Sequence, residues 1–106
     1  MVRYPEQDFF NNLFHSSGIV SGPNGNILYT NGTTYTVSHT GGSGTYVITF
    51  STAHPKSTYP ILVTPQTGSS NTAVPGTISA NGFTVKTFIT NTGGLSDCQF
   101  SFLVLL

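Results

Sequence analysis

From residue 18 to the C-terminus, apolar and polar positions alternate in short runs: "NILYT", "TYTVSHT", "GTYVITFS", "YPILVTPQ", "AVPGTISA", "GFTVKTFIT" and "CQFSFLVLL". The runs are rich in β-branched and aromatic residues. Dipeptides that supply positive φ punctuate the region, among them Asn24-Gly25, Asn31-Gly32, Gly41-Gly42, Asn81-Gly82 and Gly93-Gly94. Seven short strands joined by polar turns, with no room for a crossover helix, predict an all-β, antiparallel, jelly-roll-like β-sandwich.

Period two assigns the faces. In "TYVITFS", Tyr46, Ile48 and Phe50 point one way and Thr45, Val47, Thr49 and Ser51 the other. In "GFTVKTFIT", Phe83, Val85 and Ile89 oppose Thr84, Lys86 and Phe88. The last strand differs. Phe100, Phe102, Val104 and Leu106 share one face, yet Leu103 and Leu105 on the other are apolar too. A strand that is apolar on both faces is covered on both. The second cover is either the N-terminal segment or a neighbouring subunit, since exposing these leucines would be a solubility liability.

Before residue 18 the spacing changes. In "PEQDFFNNLFHSS", Phe9, Phe10, Leu13 and Phe14 fall at i, i+1, i+4 and i+5, one side of a helix. Pro5 suits a first turn, and Glu6 and Asp8 complement the helix dipole. The expectation is a short amphipathic helix over these residues, too short to be stable alone, whose aromatic stripe packs on its own domain or plugs into a partner. The chain then divides into an anchor, 1–17, and a head domain, 18–106.

Composition narrows the function. The chain has 106 residues, enough for one core, with 6% charged residues and a formal net charge of zero. Three Lys and Arg, far apart in sequence, do not make a phosphate-binding surface, so nucleic acid is excluded as a partner. No apolar run approaches a membrane span, and "MVRYPEQDFF" lacks the apolar stretch of a secretory signal. The single cysteine, Cys98, excludes an internal disulfide and fits assembly in a reducing cytosol, or stability drawn from oligomerisation. So little charge also does little to keep copies apart.

Catalytic chemistry finds few residues. Glu6 and Asp8 sit in the N-terminal segment and Asp97 is the only acid among the strands, so paired-acid hydrolysis is not expected. Cys98 opens a strand of alternating aromatics and reads as a buried structural thiol, not a nucleophile served by His15, His39 or His54. His39 shares a face with Tyr35 and Val37 and reads as a packed strand-end residue, whereas His54, on the longest loop, is expected to be exposed. The histidines lack ligand spacing, and a metal shared by three copies at an axis is the one alternative. "GGSG" precedes a strand and is read as a turn, not a phosphate loop. What remains is neutral loops, "STAHPKSTY", "QTGSSNTAVPG" and "TNTGGLSD", whose hydroxyls, amides and aromatics suit polar, uncharged ligands such as sugars.

"GTYVITFSTAHPKSTYPILVTP", "SANGFTVKTFIT" and "CQFSFLVLL" together resemble the C-terminal head domains of phage tail fibres and other viral fibres, over residues 33 to 106. The plan is also similar to the trimeric jelly rolls of the complement and tumour-necrosis-factor superfamily, and loosely to H-type lectins. The resemblance implies a non-catalytic receptor-binding tip on the virion, assembled in the host cytoplasm, that attaches as a homotrimer to a host receptor, often a surface glycan. The alternatives are a structural virion module without its own ligand and a free soluble lectin. It implies core or trimer contacts at Tyr46, Phe50, Phe102 and Leu103, to which the two-sided apolar pattern of the last strand adds Leu105 at the oligomer interface, and an exposed tip formed by the loops around His54, Asn71 and Asn91. Candidate ligand contacts on those loops are His54, Lys56, Tyr59, Asn71, Asn91 and Asp97. The helix would dock to other virion proteins. No cofactor, metal or membrane insertion is implied.

Overall fold

The computed structural model describes residues 13–66 and 71–106. Eight strands occur there: β1 (Phe14–Val20), β2 (Ile27–Gly32), β3 (Tyr35–His39), β4 (Thr45–Phe50), β5 (Ile61–Pro65), β6 (Asn71–Ser79), β7 (Gly82–Ile89) and β8 (Phe100–Leu105). They form two four-stranded antiparallel sheets, sheet A in the order β2-β1-β8-β5 and sheet B in the order β3-β4-β7-β6. All seven strands expected from the alternation are present, and the fold is an all-β sandwich.

The eighth strand is a correction. Phe14 to Ser17 do not continue a helix; they open β1, which pairs with β2 on one edge and β8 on the other. Two hydrogen-bonded ladders outweigh the helical spacing of a few apolar residues. The division expected after residue 17 therefore falls inside a strand. Of the expected aromatic anchor, Phe14 is half-buried in β1 and Leu13 is exposed, while Phe9 and Phe10 lie outside the described residues.

The core lies between the inner faces of the sheets. Tyr46, Ile48 and Phe50 of β4 and Phe83 and Val85 of β7 face Phe100, Phe102 and Val104 of β8 and Val20 of β1. Each such side chain taken from water stabilises the fold by about 1.5–3 kcal/mol before entropy is counted. Rings from the two sheets meet edge to face: Tyr35 on Phe102 at 5.0 Å, Phe83 on Phe102 at 5.2 Å and Tyr46 on Phe100 at 4.9 Å. On β7 the third inward residue is Thr87, whose hydroxyl bonds the Ser96 carbonyl, while Ile89, of the same parity as Phe83 and Val85 but at the strand's end, is exposed. Tight turns rest on glycines in the left-handed region, such as Gly25 at φ 69° and Gly42 at φ 84°.

Candidate functional site

β4 runs from Thr45, opposite Lys86, to Phe50, whose N–H donates to the Asn81 carbonyl, and its two termini mark the two ends of the sandwich. His54, Lys56 and Tyr59 belong to the end near Phe50, where His54 N–H bonds the Ala80 carbonyl. Asn71 pairs with Ile89 at the other end, to which belong the turn after β7 that holds Asn91 and Asp97, which binds the turn before β4. The structure does not bring the expected ligand residues together at one tip.

Three of them are also occupied. His54 is 3% exposed, contrary to the expectation of an exposed loop residue. It donates Nε2–H to the Leu105 carbonyl at 2.8 Å, accepts the Lys56 N–H on Nδ1 at 2.9 Å, and stacks on Tyr59 at 4.0 Å. Tyr59 is buried, and its hydroxyl donates towards the Ser79 and Gly82 carbonyls; burial raises its pKa. Asp97 accepts the Gly42 N–H on Oδ2 at 2.6 Å and the Gly44 N–H on Oδ1 at 2.8 Å. The "GGSG" turn thus does hold an anion, the chain's own carboxylate. Lys56 and Asn91 are exposed, and Asn71 is half-buried.

The histidines serve packing. His39 stacks on Tyr46 at 4.0 Å and donates Nδ1–H to the Thr45 carbonyl, while its Nε2 lies 3.3 Å from Asp97 Oδ2, outside hydrogen-bond geometry. His15, which the sequence reading left without a place, is buried 4.9 Å from the His54 ring, with Nε2 on the Thr52 carbonyl. Among the described residues no group of three or more His, Cys, Asp or Glu side chains could hold a metal ion. Cys98 is a buried thiol outside any disulfide, and its Sγ–H donates to the Gln99 carbonyl at 3.2 Å.

One feature is unspent: the outer face of sheet A. Tyr46, Phe50 and Phe102 are consumed by the core of a single chain and present no surface to a second copy. Leu103 and Leu105 point the opposite way and remain only partly covered. The register sets Leu62 of β5 beside Leu103, Phe14 of β1 beside Leu105, and Tyr29 of β2 beside Ile19 of β1. Leu62 is 60% exposed and Tyr29 51%. Among the described residues, none of the four strands carries a charged side chain on this surface.

No family model, curated protein or solved structure matches the chain. The residues that reasoning from sequence missed, Leu62, Ile19 and Tyr29, had a partial signal: "ILV" in β5 is apolar on both faces, as β8 is.

A groove of about 720 Å³ opens at the His54 end, lined by Phe14, His15, Leu106 and polar residues of the 30–34 segment. Its walls carry hydroxyls, an amide and an imidazole, a neutral set able to exchange hydrogen bonds with a polar ligand and unable to hold an ion by charge.

Proposed function

We propose that the chain is the non-catalytic, self-associating head of a viral fibre, working as a homotrimer on the virion and attaching to a neutral glycan on the host surface. The observation that carries the self-association is the outer face of sheet A, where Leu62, Leu103 and Leu105 form an uncharged apolar surface on a chain with net charge zero. Soluble monomers rarely expose contiguous apolar patches of this kind. The threefold count, the jelly-roll plan and the viral setting rest on the resemblance to fibre heads. Attachment through weak sites gains from a trimer, because linked copies multiply avidity without stronger individual contacts. The N-terminal segment, amphipathic by its spacing, docks the head to other virion proteins in this reading.

Light scattering on the eluting protein tests it. A mass of three chains that falls, or aggregation that sets in, with Leu103→Ser and Leu105→Ser supports the reading, and a monomer unaffected by either substitution overturns it. A glycan array then tests attachment.

A second reading, a structural virion module without its own ligand, is favoured by one observation: His54, Tyr59 and Asp97 all spend their polar atoms within the chain. A trimer that binds no glycan would select it.

A further inference from the structure

The register of β1 on β8 shifts between Phe14, opposite Leu105, and Ser16, opposite Val104, so His15 is the extra residue of a bulge. Bulges break the alternation of a strand and re-aim a side chain. Strict alternation would turn either His15 or Ser16 outward, yet both are buried, at 7% and 1% exposure. The Ser16 hydroxyl donates to the Thr33 carbonyl at 2.7 Å, and the Thr33 N–H donates to the His15 carbonyl at 2.9 Å, which holds the 30–34 segment beside the bulge. His15 and this segment line the groove of about 720 Å³, a volume within the roughly 300–1,000 Å³ of small-molecule sites.

The imidazole brings a spare acceptor to this groove. Its Nε2 lies 3.0 Å from the Thr52 carbonyl, which can only accept, so Nε2 carries the hydrogen and Nδ1 the lone pair. Nδ1 has no partner among the described residues. The sealed side-chain nitrogen without a partner among them is His39 Nε2, so His15 Nδ1 is not closed off, and the groove is the opening that its ring lines. Burial lowers the pKa of this ring and favours its neutral, accepting form. From β2, exposed Asn31 adds an amide with two donors and an acceptor, again without a partner among the described residues, and Thr33 adds a hydroxyl. Phe14 and Leu106 give apolar wall, and none of the lining side chains is Lys, Arg, Asp or Glu.

We propose that this groove binds one neutral pyranose ring, whose hydroxyls donate to His15 Nδ1 and exchange hydrogen bonds with the Asn31 amide and the Thr33 hydroxyl while a C–H face rests on Phe14. The assignment rests on the proposed attachment to a neutral glycan and gives that attachment a place. A pyranose suits the lining because its hydroxyls both donate and accept around an apolar ring. An acidic ligand is not favoured: no cation lines the groove, and the imidazole presents a lone pair to it. His15 is then a binding residue as well as a packed one, and the bulge is the device that turns it to the ligand. Contacts so few make each site weak, in keeping with attachment by several linked copies.

The test is an NMR titration of the full chain with the methyl glycosides of galactose, glucose, mannose and N-acetylglucosamine, and with N-acetylneuraminic acid as the anionic comparison, beside a glycan array. The expected result is that a neutral sugar moves the backbone amides of Asn31, Gly32 and Thr33 and the ring Nδ1 signal of His15, and that N-acetylneuraminic acid moves none of them. Asn31→Ala removes an exposed amide and leaves the backbone ladder in place, so the variant should stay folded by circular dichroism and bind the same sugar about three- to tenfold more weakly. The groove is overturned, with attachment left standing, if a neutral glycan binds but its shifts fall elsewhere or Asn31→Ala binds it as the wild type does. Binding of the anionic sugar alone overturns the neutral lining as the basis of recognition. If no neutral glycan binds in the titration or on the array, the groove and the attachment fall together, which is also the outcome expected if the chain's own N-terminal residues occupy the groove.

Discussion

His54 and Leu105, 51 positions apart in sequence, are joined by a 2.8 Å hydrogen bond from the imidazole Nε2 to the last carbonyl of β8. Because Nδ1 of the same ring accepts the Lys56 N–H, the tautomer is set, and the ring pegs the 51–60 loop to the end of β8, one of the two interior strands of sheet A. His54→Ala removes both bonds and the stacked contact with Tyr59, and should cost about 2–4 kcal/mol. Chemical denaturation measures it. A ligand-contacting histidine would instead leave stability near wild type and reduce binding.

His15 gives that end of the sandwich a pH dependence. Burial lowers its pKa, the bond to the Thr52 carbonyl works the other way, and the neighbouring His54 lowers it further. The folded state therefore binds fewer protons than the unfolded chain. Stability is fully present above the unfolded value of about 6.5 and is lost as pH falls from there through the folded value. Melting temperatures across that range should decline with acidification, and His15→Gln should flatten the slope. An unchanged slope in the variant would assign the dependence to other groups.

Asp97 acts at the other end and in a lower window. Burial opposes its ionisation, but the Gly42 and Gly44 amides and His39 outweigh it and hold the carboxyl below its ordinary value. Its contribution is present above the unfolded value of about 3.9 and disappears as pH falls through the folded one. Asp97→Ala leaves two amides of the β3–β4 turn unpartnered and should cost about 1–3 kcal/mol. Hydrogen exchange at the Gly44 amide should accelerate in this variant, and Asp97→Asn should lie between the two.

The strands legible in the sequence are those with strict period two between glycine-bearing turns, and β4 is the clearest, with Tyr46, Ile48 and Phe50 all buried as its alternation implies. β1 was illegible for a physical reason. Its inward positions are Ser16, Gly18 and Val20; the Tyr35 ring lies over Gly18 and Ser16 turns its hydroxyl to the Thr33 carbonyl, so "FHSSGIV" shows no apolar alternation. Thr87 hid in the same way, a hydroxyl buried on a core face and matched to the Ser96 carbonyl. The outward leucines of β8 were visible, because an apolar residue on both faces needs no knowledge of the partner strand. The fate of His54 was not, since a loop histidine is buried only by contacts far away in sequence.

Gly18 is the residue that makes β1 possible, and it yields the sharpest test of the packing between the sheets. A Cβ at this position would overlap the Tyr35 hydroxyl and ring, which are held over it by the bond from that hydroxyl to the Tyr29 carbonyl. Gly18→Ala therefore forces either the ring or the strand to move and should destabilise the fold by about 1–3 kcal/mol. Tyr35→Leu alone should be costly too, through a lost hydrogen bond and a cavity beside Phe102. If the clash is the cause, the double variant is less destabilised than the sum of the two, because the leucine frees the space that the alanine needs. Denaturation of all four proteins gives the coupling directly. Additive losses would mean that Gly18 is required for its backbone and not for the room it leaves.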